Sequence, residues 1–360
     1  MAILFSINEV SGDDTIDIAV IYAITGAAAK NNSYSLKGIY HGVQEINDAG
    51  GVLDKKINIL VFDNQSTPIG SHMAAIKAVQ SGAVAILGAA WSSHSLVIAQ
   101  IAQKGKIPMI TNISTNPDVT KNKDYVFRIC FNDTFQGRVL AKFARQDLKA
   151  LTAVMFVNVA SDYSLKLSEL FRSNFEYLGG KVIQELEYKL KQMVSEQAIQ
   201  QAVDSKVDVV FIPGHDESGS IARNLQAKGS RSVFLGGDGW ASPVFLSKGG
   251  RELNRGYYCT HWSAQMNTRE SNVFKKRYIQ SESSAANIAL GYDAIQLLAD
   301  AITRSGSFDR EKIRKSLADT KQFKGVTGRI RFDEEGDPVK NAVFMEIRKG
   351  RPFFLKVLSP

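Results

Sequence analysis

The feature that most constrains this chain is a repeated change of period. Short apolar runs alternate with longer segments in which apolar residues recur every three or four positions. Ile16-Asp17-Ile18-Ala19-Val20-Ile21 reads as a strand that ends at Thr25-Gly26. Leu36, Ile39, Val43 and Ile46 then mark one face of a helix. Ala49-Gly50-Gly51 stops it, because glycine accepts the left-handed backbone of a helix C-terminus. Residues 57–62 supply a second strand, and the cycle repeats with helices marked by Met73, Ile76 and Val79 and over 96–103, and strands over 83–87 and 107–111. Such alternation predicts a mainly parallel sheet covered on both faces. Right-handed crossovers then gather the loops after the strand C-termini on one edge, where ligands bind.

A second run of the same kind starts after Asp133. Strands are expected at 152–157, 181–186, 207–212 and 233–235, with helices at 165–177, 195–203 and 218–228. Residues 274–306 read as helical without a parallel strand of their own, and are expected to pack back on the first run. Residues 325–332 alternate in polarity, 333–338 form a turn, and 343–347 with 353–358 form a hairpin. The fold class is therefore α/β, with two doubly wound lobes of mainly parallel sheet and a small antiparallel tail.

The 360 residues suffice for two lobes, and 44% hydrophobic with 22% charged residues is ordinary globular composition. The formal charge of +8 is dispersed, without the basic stripe or recognition helix of a nucleic-acid binder, so no nucleic-acid partner is expected. No run approaches the ~18 apolar residues of a membrane span. Met1 to Phe5 is apolar but lacks a basic start and the length of a secretory core, so a removed leader and a chain that stays inside both remain open.

Catalytic patterns are missing from the sequence. The histidines, at 41, 72, 94, 215 and 261, form no metal-ligand spacing, and there is neither a nucleophile elbow nor a phosphate loop. Three loops at predicted strand ends carry polar groups instead. Gly236-Gly237-Asp238-Gly239 puts Asp238 where a partly desolvated carboxylate would seek a cation, although a turn or capping role is equally legible. Trp91-Ser92-Ser93-His94-Ser95 opens a helix, whose N–H groups and hydroxyls suit a carboxylate, although plain capping by Ser93 or Ser95 would look the same. Asn112-Ile113-Ser114-Thr115-Asn116-Pro117 occupies the equivalent place after the next strand.

A family resemblance spans most of the chain. Glu45-Ile46-Asn47-Asp48-Ala49-Gly50-Gly51-Val52, Asp63-Asn64-Gln65-Ser66, Ile86-Leu87-Gly88 followed by Ser92-Ser93, Thr115-Asn116-Pro117, Phe127-Arg128, Asp162-Tyr163-Ser164, Gly236-Gly237-Asp238-Gly239-Trp240 and Gly291-Tyr292-Asp293-Ala294 run in order. Together they resemble the leucine/isoleucine/valine-binding type of periplasmic solute receptor, the substrate-binding component of an ABC importer. The resemblance implies lobes joined by three crossover segments, near Phe131-Asn132, Thr260-His261 and Arg331-Phe332. Residues 1–131 with 262–330 would form the N-terminal lobe, and 132–261 with 331–360 the C-terminal lobe.

It also implies ligand-binding roles. Ser93 and Thr115, with backbone of Ile113 and Ser114, would hold a ligand's carboxylate and amine; Tyr163 would cover it and Asp238 would pair with its ammonium. Trp91 beside Ser92 offers a flat wall, and His215, Asp216 or His94 could meet a polar ligand end. Residues 30–34 form a loop that lacks the family's aromatic-glycine pair. The expected protein is a monomeric, extracytoplasmic binding protein whose leader is absent from this chain. It closes on a small amino-acid-like ligand, leucine-like first, and delivers it to an integral membrane ABC permease, with no cofactor, no metal and no catalysis. A ligand-sensing regulator of the same fold is the alternative reading. Cys130 and Cys259 lie near two crossovers, and a disulfide between them stays open.

Overall fold

The computed structural model describes residues 14–189 and 194–360; the apolar stretch Met1 to Phe5 lies outside them. The first half builds β1 (Thr15–Tyr22), α1 (Ala29–Asp48), β2 (Lys56–Asp63), α2 (Pro68–Gln80), β3 (Ala85–Gly88), α3 (Ser92–Lys104), β4 (Met109–Thr111) and β5 (Val126–Arg128). These strands form one parallel sheet in the order β2-β1-β3-β4-β5. The chain leaves β1 to one side and returns to β3 on the other. The order therefore reverses beside β1, which opens a crevice beyond the strand C-termini.

A second parallel run follows with α4 (Asp133–Lys142), β6 (Thr152–Asn158), α5 (Asp162–Tyr177), β7 (Lys181–Tyr188), α6 (Glu196–Asp204), β8 (Val209–Phe211), α7 (Ser218–Ala227), β9 (Val233–Gly236), α8 (Pro243–Lys248) and β10 (Arg255–Thr260). Then come α9 (Arg269–Tyr278), α10 (Glu282–Ser305), α11 (Arg310–Ala318), the short pair β11 (Phe323–Gly325) and β12 (Gly328–Ile330), and the hairpin β13 (Ala342–Arg348) and β14 (Arg351–Leu358). The second sheet runs β14-β13-β10-β9-β8-β6-β7. The terminal hairpin is thus no separate tail: β13 pairs antiparallel with β10 and extends that sheet. Six of the seven residues of β13 are buried, as in a strand covered on both faces, whereas β14 is the partly exposed edge.

The predicted 274–306 helix is two helices, α9 and α10. Serine at 281 takes the N-cap position of α10 and Thr268 caps α9 by accepting from the Ser271 N–H at 3.1 Å. Leu290, Ala294, Leu297 and Leu298 of α10 share a core with Leu36, Ile39, Val43 and Ile46 of α1. The two helices touch through glycine. A Cβ at Gly38 would sit 2.0 Å from the Ile288 carbonyl oxygen, and one at Gly291 would sit 2.1 Å from that of Ser35.

The chain passes between the two sheets after β5, after β10 and between β12 and β13. A buried ion pair fastens the last passage to the first. Arg128, fully buried, donates through Nε to Asp337 at 2.5 Å, and Asp337 also accepts from Asn132 and from the Thr120 hydroxyl. The remaining guanidinium N–H groups go to the carbonyl oxygens of Ser114 (2.8 Å) and Asn116 (3.0 Å) and to Thr120 Oγ1 (2.7 Å). Every charge in this knot has partners, the condition under which a buried pair is tolerated.

Gly38→Ala is predicted to push α1 and α10 apart and to cost about 1–3 kcal/mol. Urea unfolding measures it, and an unchanged midpoint would show that the helices separate freely.

Candidate functional site

On the first lobe, the loops after β1, β3 and β4 lead to the crevice. Trp91 stands at the N-cap of α3 in extended backbone, and no side chain caps that helix. The carbonyl of Trp91 accepts from His94 and Ser95 N–H, both at 3.0 Å, which leaves the N–H groups of Ser92 and Ser93 at the positive end of the helix. The two serines weighed as caps are engaged elsewhere. Ser93 Oγ accepts from the Asp162 N–H across the cleft at 3.3 Å, and Ser95 Oγ accepts from the Ala89 N–H and bonds to Ser114 Oγ at 2.6 Å.

On the second lobe, β9 ends in Gly236 and the chain makes a single tight turn over Asp238–Trp240. The glycines permit three close approaches. A Cβ at Gly236 would strike the Trp240 ring at 2.2 Å, at Gly237 the Tyr163 hydroxyl at 2.3 Å, and at Gly239 the Gly214 carbonyl at 2.5 Å. The turn buries Asp238 to 7% exposure, with its N–H donating to Gln136 Oε1 at 2.8 Å. His261 Nε2 lies 3.2 Å from Asp238 Oδ2, while Oδ1 has no hydrogen-bond partner in the protein.

The electrostatics around this carboxylate are layered. Burial works to raise the Asp238 pKa, but the hydrogen bond and charge of His261, with Tyr163 and Gln136, hold it below the ordinary value. Neighbouring Asp133 is driven the other way: burial first, then the Asp238 charge, push it up to about 8. Two carboxyls in one dry site cannot both ionise easily, so Asp133 carries the proton and Asp238 the charge. The Thr115 hydroxyl lies close enough to Asp133 to lower that pKa, yet makes no hydrogen bond of proper geometry.

Rings and polar groups meet where the lobes face each other. Trp91 stacks on His215 at 4.7 Å, and His215 on Tyr163 at 4.8 Å, so one imidazole from the second lobe lies between two larger rings. Asn31 donates to both oxygens of Asp216 at 2.8 and 2.7 Å and accepts from the Ser242 hydroxyl at 2.7 Å; Asn116 donates to the Asp162 carbonyl at 3.1 Å. These contacts close a cavity between the lobes.

Of the residues singled out in the sequence, Trp91, Ser92, Ile113, Thr115, Tyr163, His215 and Asp238 line this cavity. Ser93, Ser114 and Asp216 do not. Ser93 and Asp216 are spent on bonds between the lobes, and Ser114 is buried behind the wall, donating to the carbonyls of Ala89 and Ala90. His94 stacks on Trp91 at 5.6 Å and is not among the lining residues. Seven further residues line the cavity, and four of these carry polar side chains to which the sequence reading gave no ligand role: Asn31, Asn32, Ser242 and Asn287. Residues 30–34, read as a loop, are the first turns of α1, which begins at Ala29. The Ser242-Pro243 pair was a helix-start signal, and Ser242 does cap α8. Asn287 gave no signal, since it stands inside a helix far along the chain.

Cys130 and Cys259 are both buried and free, the latter 3.2 Å from Gln136 Oε1. Among the described residues no cluster of His, Cys, Asp and Glu could hold a metal ion.

Because Asp133 binds a proton in the folded state to about pH 8 but unfolds to a carboxyl that ionises near 4, its contribution to stability is full below pH 4 and lost as pH rises towards 8. Asp133→Asn should flatten that decline in urea midpoints collected across the range. An identical slope in the variant would place the effect on another group.

A family profile described as periplasmic binding protein matches residues 15–352. The chain is 28% identical over 328 residues to a Leu/Ile/Val-binding protein homolog 1 of Brucella suis, covering 88% of this chain and 85% of that one. The leucine binding protein LivK of Thermotoga maritima superimposes with a TM-score of 0.89 at 33% identity, over 96% of this chain and 99% of that one. The branched-chain amino acid transporter substrate binding protein LivJ of Streptococcus pneumoniae, in complex with isoleucine, gives 0.88 at 26% identity over 96% and 100%.

Proposed function

The chain belongs to the periplasmic binding protein family, and on that premise we propose that its interlobe cavity captures one small amino acid and presents it in the closed form to a membrane permease. The observation that carries the reading is Asp238 Oδ1, an anionic oxygen buried in the cavity wall without a protein partner. Leaving such an atom unpaired is costly, and a ligand ammonium would answer it with a charge-assisted hydrogen bond. A ligand carboxylate finds neutral donors on the opposite wall, in the α3 N-terminus at Ser92 and the Thr115 hydroxyl. Ile113 and the faces of Trp91 and Tyr163 supply apolar cover.

The cycle needs no chemical step. A ligand settles on the first lobe while the cleft is open; closure then brings Tyr163, His215 and Asp238 over it. Closure is favoured only by what the ligand gains from touching both walls, and the Asp238 pairing is available only then. One copy of the chain contains the whole cavity, so a monomer suffices. The family delivers solutes to ABC permeases from outside the cytoplasm, and no helix among the described residues is long and apolar enough to cross a membrane.

Asp238→Asn keeps the shape and removes the charge. It should weaken amino-acid binding by about 1.5–3 kcal/mol in titration calorimetry, and equal affinity would reject the ammonium pairing. Mass spectrometry of solute released on denaturation, followed by a thermal-shift screen of amino acids, tests the reading as a whole. If no amino acid raises the melting temperature, it fails.

A further inference from the structure

We propose that the variable end of the ligand is a neutral hydrogen-bonding group, a carboxamide or hydroxyl, received by Asn32 and Asn287. This rests on the reading of the cavity as an amino-acid site and names the class of amino acid. The contact between α1 and α10 fixes the two residues together. Gly38 meets Ile288 and, one turn on, Gly42 meets Ile295, so the helices run side by side in the same direction, with Ser35 against Gly291 where they touch. One turn earlier on each, Asn32 and Asn287 arrive at the same end, and both line the cavity.

Their hydrogen bonds define what they can receive. Asn32 is fully buried and its Oδ1 accepts from the Ala23 N–H at 3.0 Å, which fixes the amide and leaves Nδ2 as a donor without a partner. Asn287 is 7% exposed, and its Oδ1 is an acceptor without a partner. The other newly found polar residues are not free in this way, because Asn31 and Ser242 are committed to each other and to Asp216. The wall thus offers one donor and one acceptor.

A branched hydrocarbon would seal both atoms away from water and satisfy neither, a penalty paid per buried group. A second carboxylate could accept from Asn32 but would face Asn287 Oδ1 and the Asp238 charge, with no lysine or arginine among the described lining residues. A second ammonium would leave the Asn32 donor unanswered. A carboxamide or hydroxyl both donates and accepts, and Ala90, Ile113 and the Trp91 ring remain to cover the intervening methylenes.

The experiment is titration calorimetry on full-length protein stripped of bound solute by unfolding and refolding, with glutamine, asparagine, serine, threonine, leucine, isoleucine, valine, glutamate and lysine. At least one of the first four should bind tenfold or more tighter than all the rest, and the amide and hydroxyl arms say which group it is. Asn32→Leu and Asn287→Leu should each lower that affinity about tenfold, and by more than they lower leucine affinity. If either leucine variant fails to fold by circular dichroism, the alanine variant replaces it. Leucine, isoleucine or valine binding as tightly as the polar four, or polar affinity unchanged in both variants, overturns the inference while leaving the amino-acid site standing. Binding by none of the nine removes the site reading itself, and the inference with it.

Discussion

The structure turns on the buried guanidinium of Arg128. It stands at the end of β5, where the chain first leaves one lobe for the other, and it gathers Asp337 from the last crossing together with the carbonyls of Ser114 and Asn116. Desolvating that charge would be prohibitive alone. It is tolerated because its donors are met by carboxylate, carbonyl and hydroxyl oxygens, and the geometry that meets them fixes the loop carrying Thr115. The hinge and one wall of the cavity are therefore parts of the same polar knot.

The cavity wall has the opposite character. Asp238 is held in its charged form by His261 beside its Oδ2, its backbone N–H is tied to Gln136 Oε1, and its charge helps keep the proton on Asp133. Its second oxygen, the Thr115 hydroxyl, the Asn32 amide nitrogen and the Asn287 carbonyl are left over. A core with such a set of unmet groups would be a fault; at an interface between two moving lobes it is a specification. The direct bonds between the lobes, Asn31 to Asp216 and Asn116 to Asp162, align the walls, while in the proposed function the unmet groups reserve part of the closing energy for a solute.

The glycines of the second wall and of the α1–α10 contact do related work at different distances. Gly237 and Gly239 let a hydroxyl and a carbonyl crowd the turn that presents Asp238. Gly38 and Gly291 let two long helices touch backbone to side, and so set where Asn32 and Asn287 emerge. Of these four only Gly239 lines the cavity, yet all of them shape its walls.

Much of this was legible in the order of residues. Periodicity placed most strands of both sheets, though not β5 or β10, and the helix face of Leu36, Ile39, Val43 and Ile46, because burial on a strand or a helix leaves a local, repeating trace. Strand-end loops drew attention to Trp91, Thr115 and Asp238, since parallel topology sends all such loops to one edge. What no local pattern could decide was partnership across the chain. Ser93 and Asp216, read as ligand contacts, make hydrogen bonds between the lobes; Asn287 looked like an ordinary helical residue and lines the cavity; the terminal hairpin was assigned to the second lobe, and its β13 extends that lobe's sheet. A side chain's type sets what it can bond to, but which atoms reach it first depends on packing between segments hundreds of residues apart, and only the tertiary structure brings those segments within hydrogen-bonding distance.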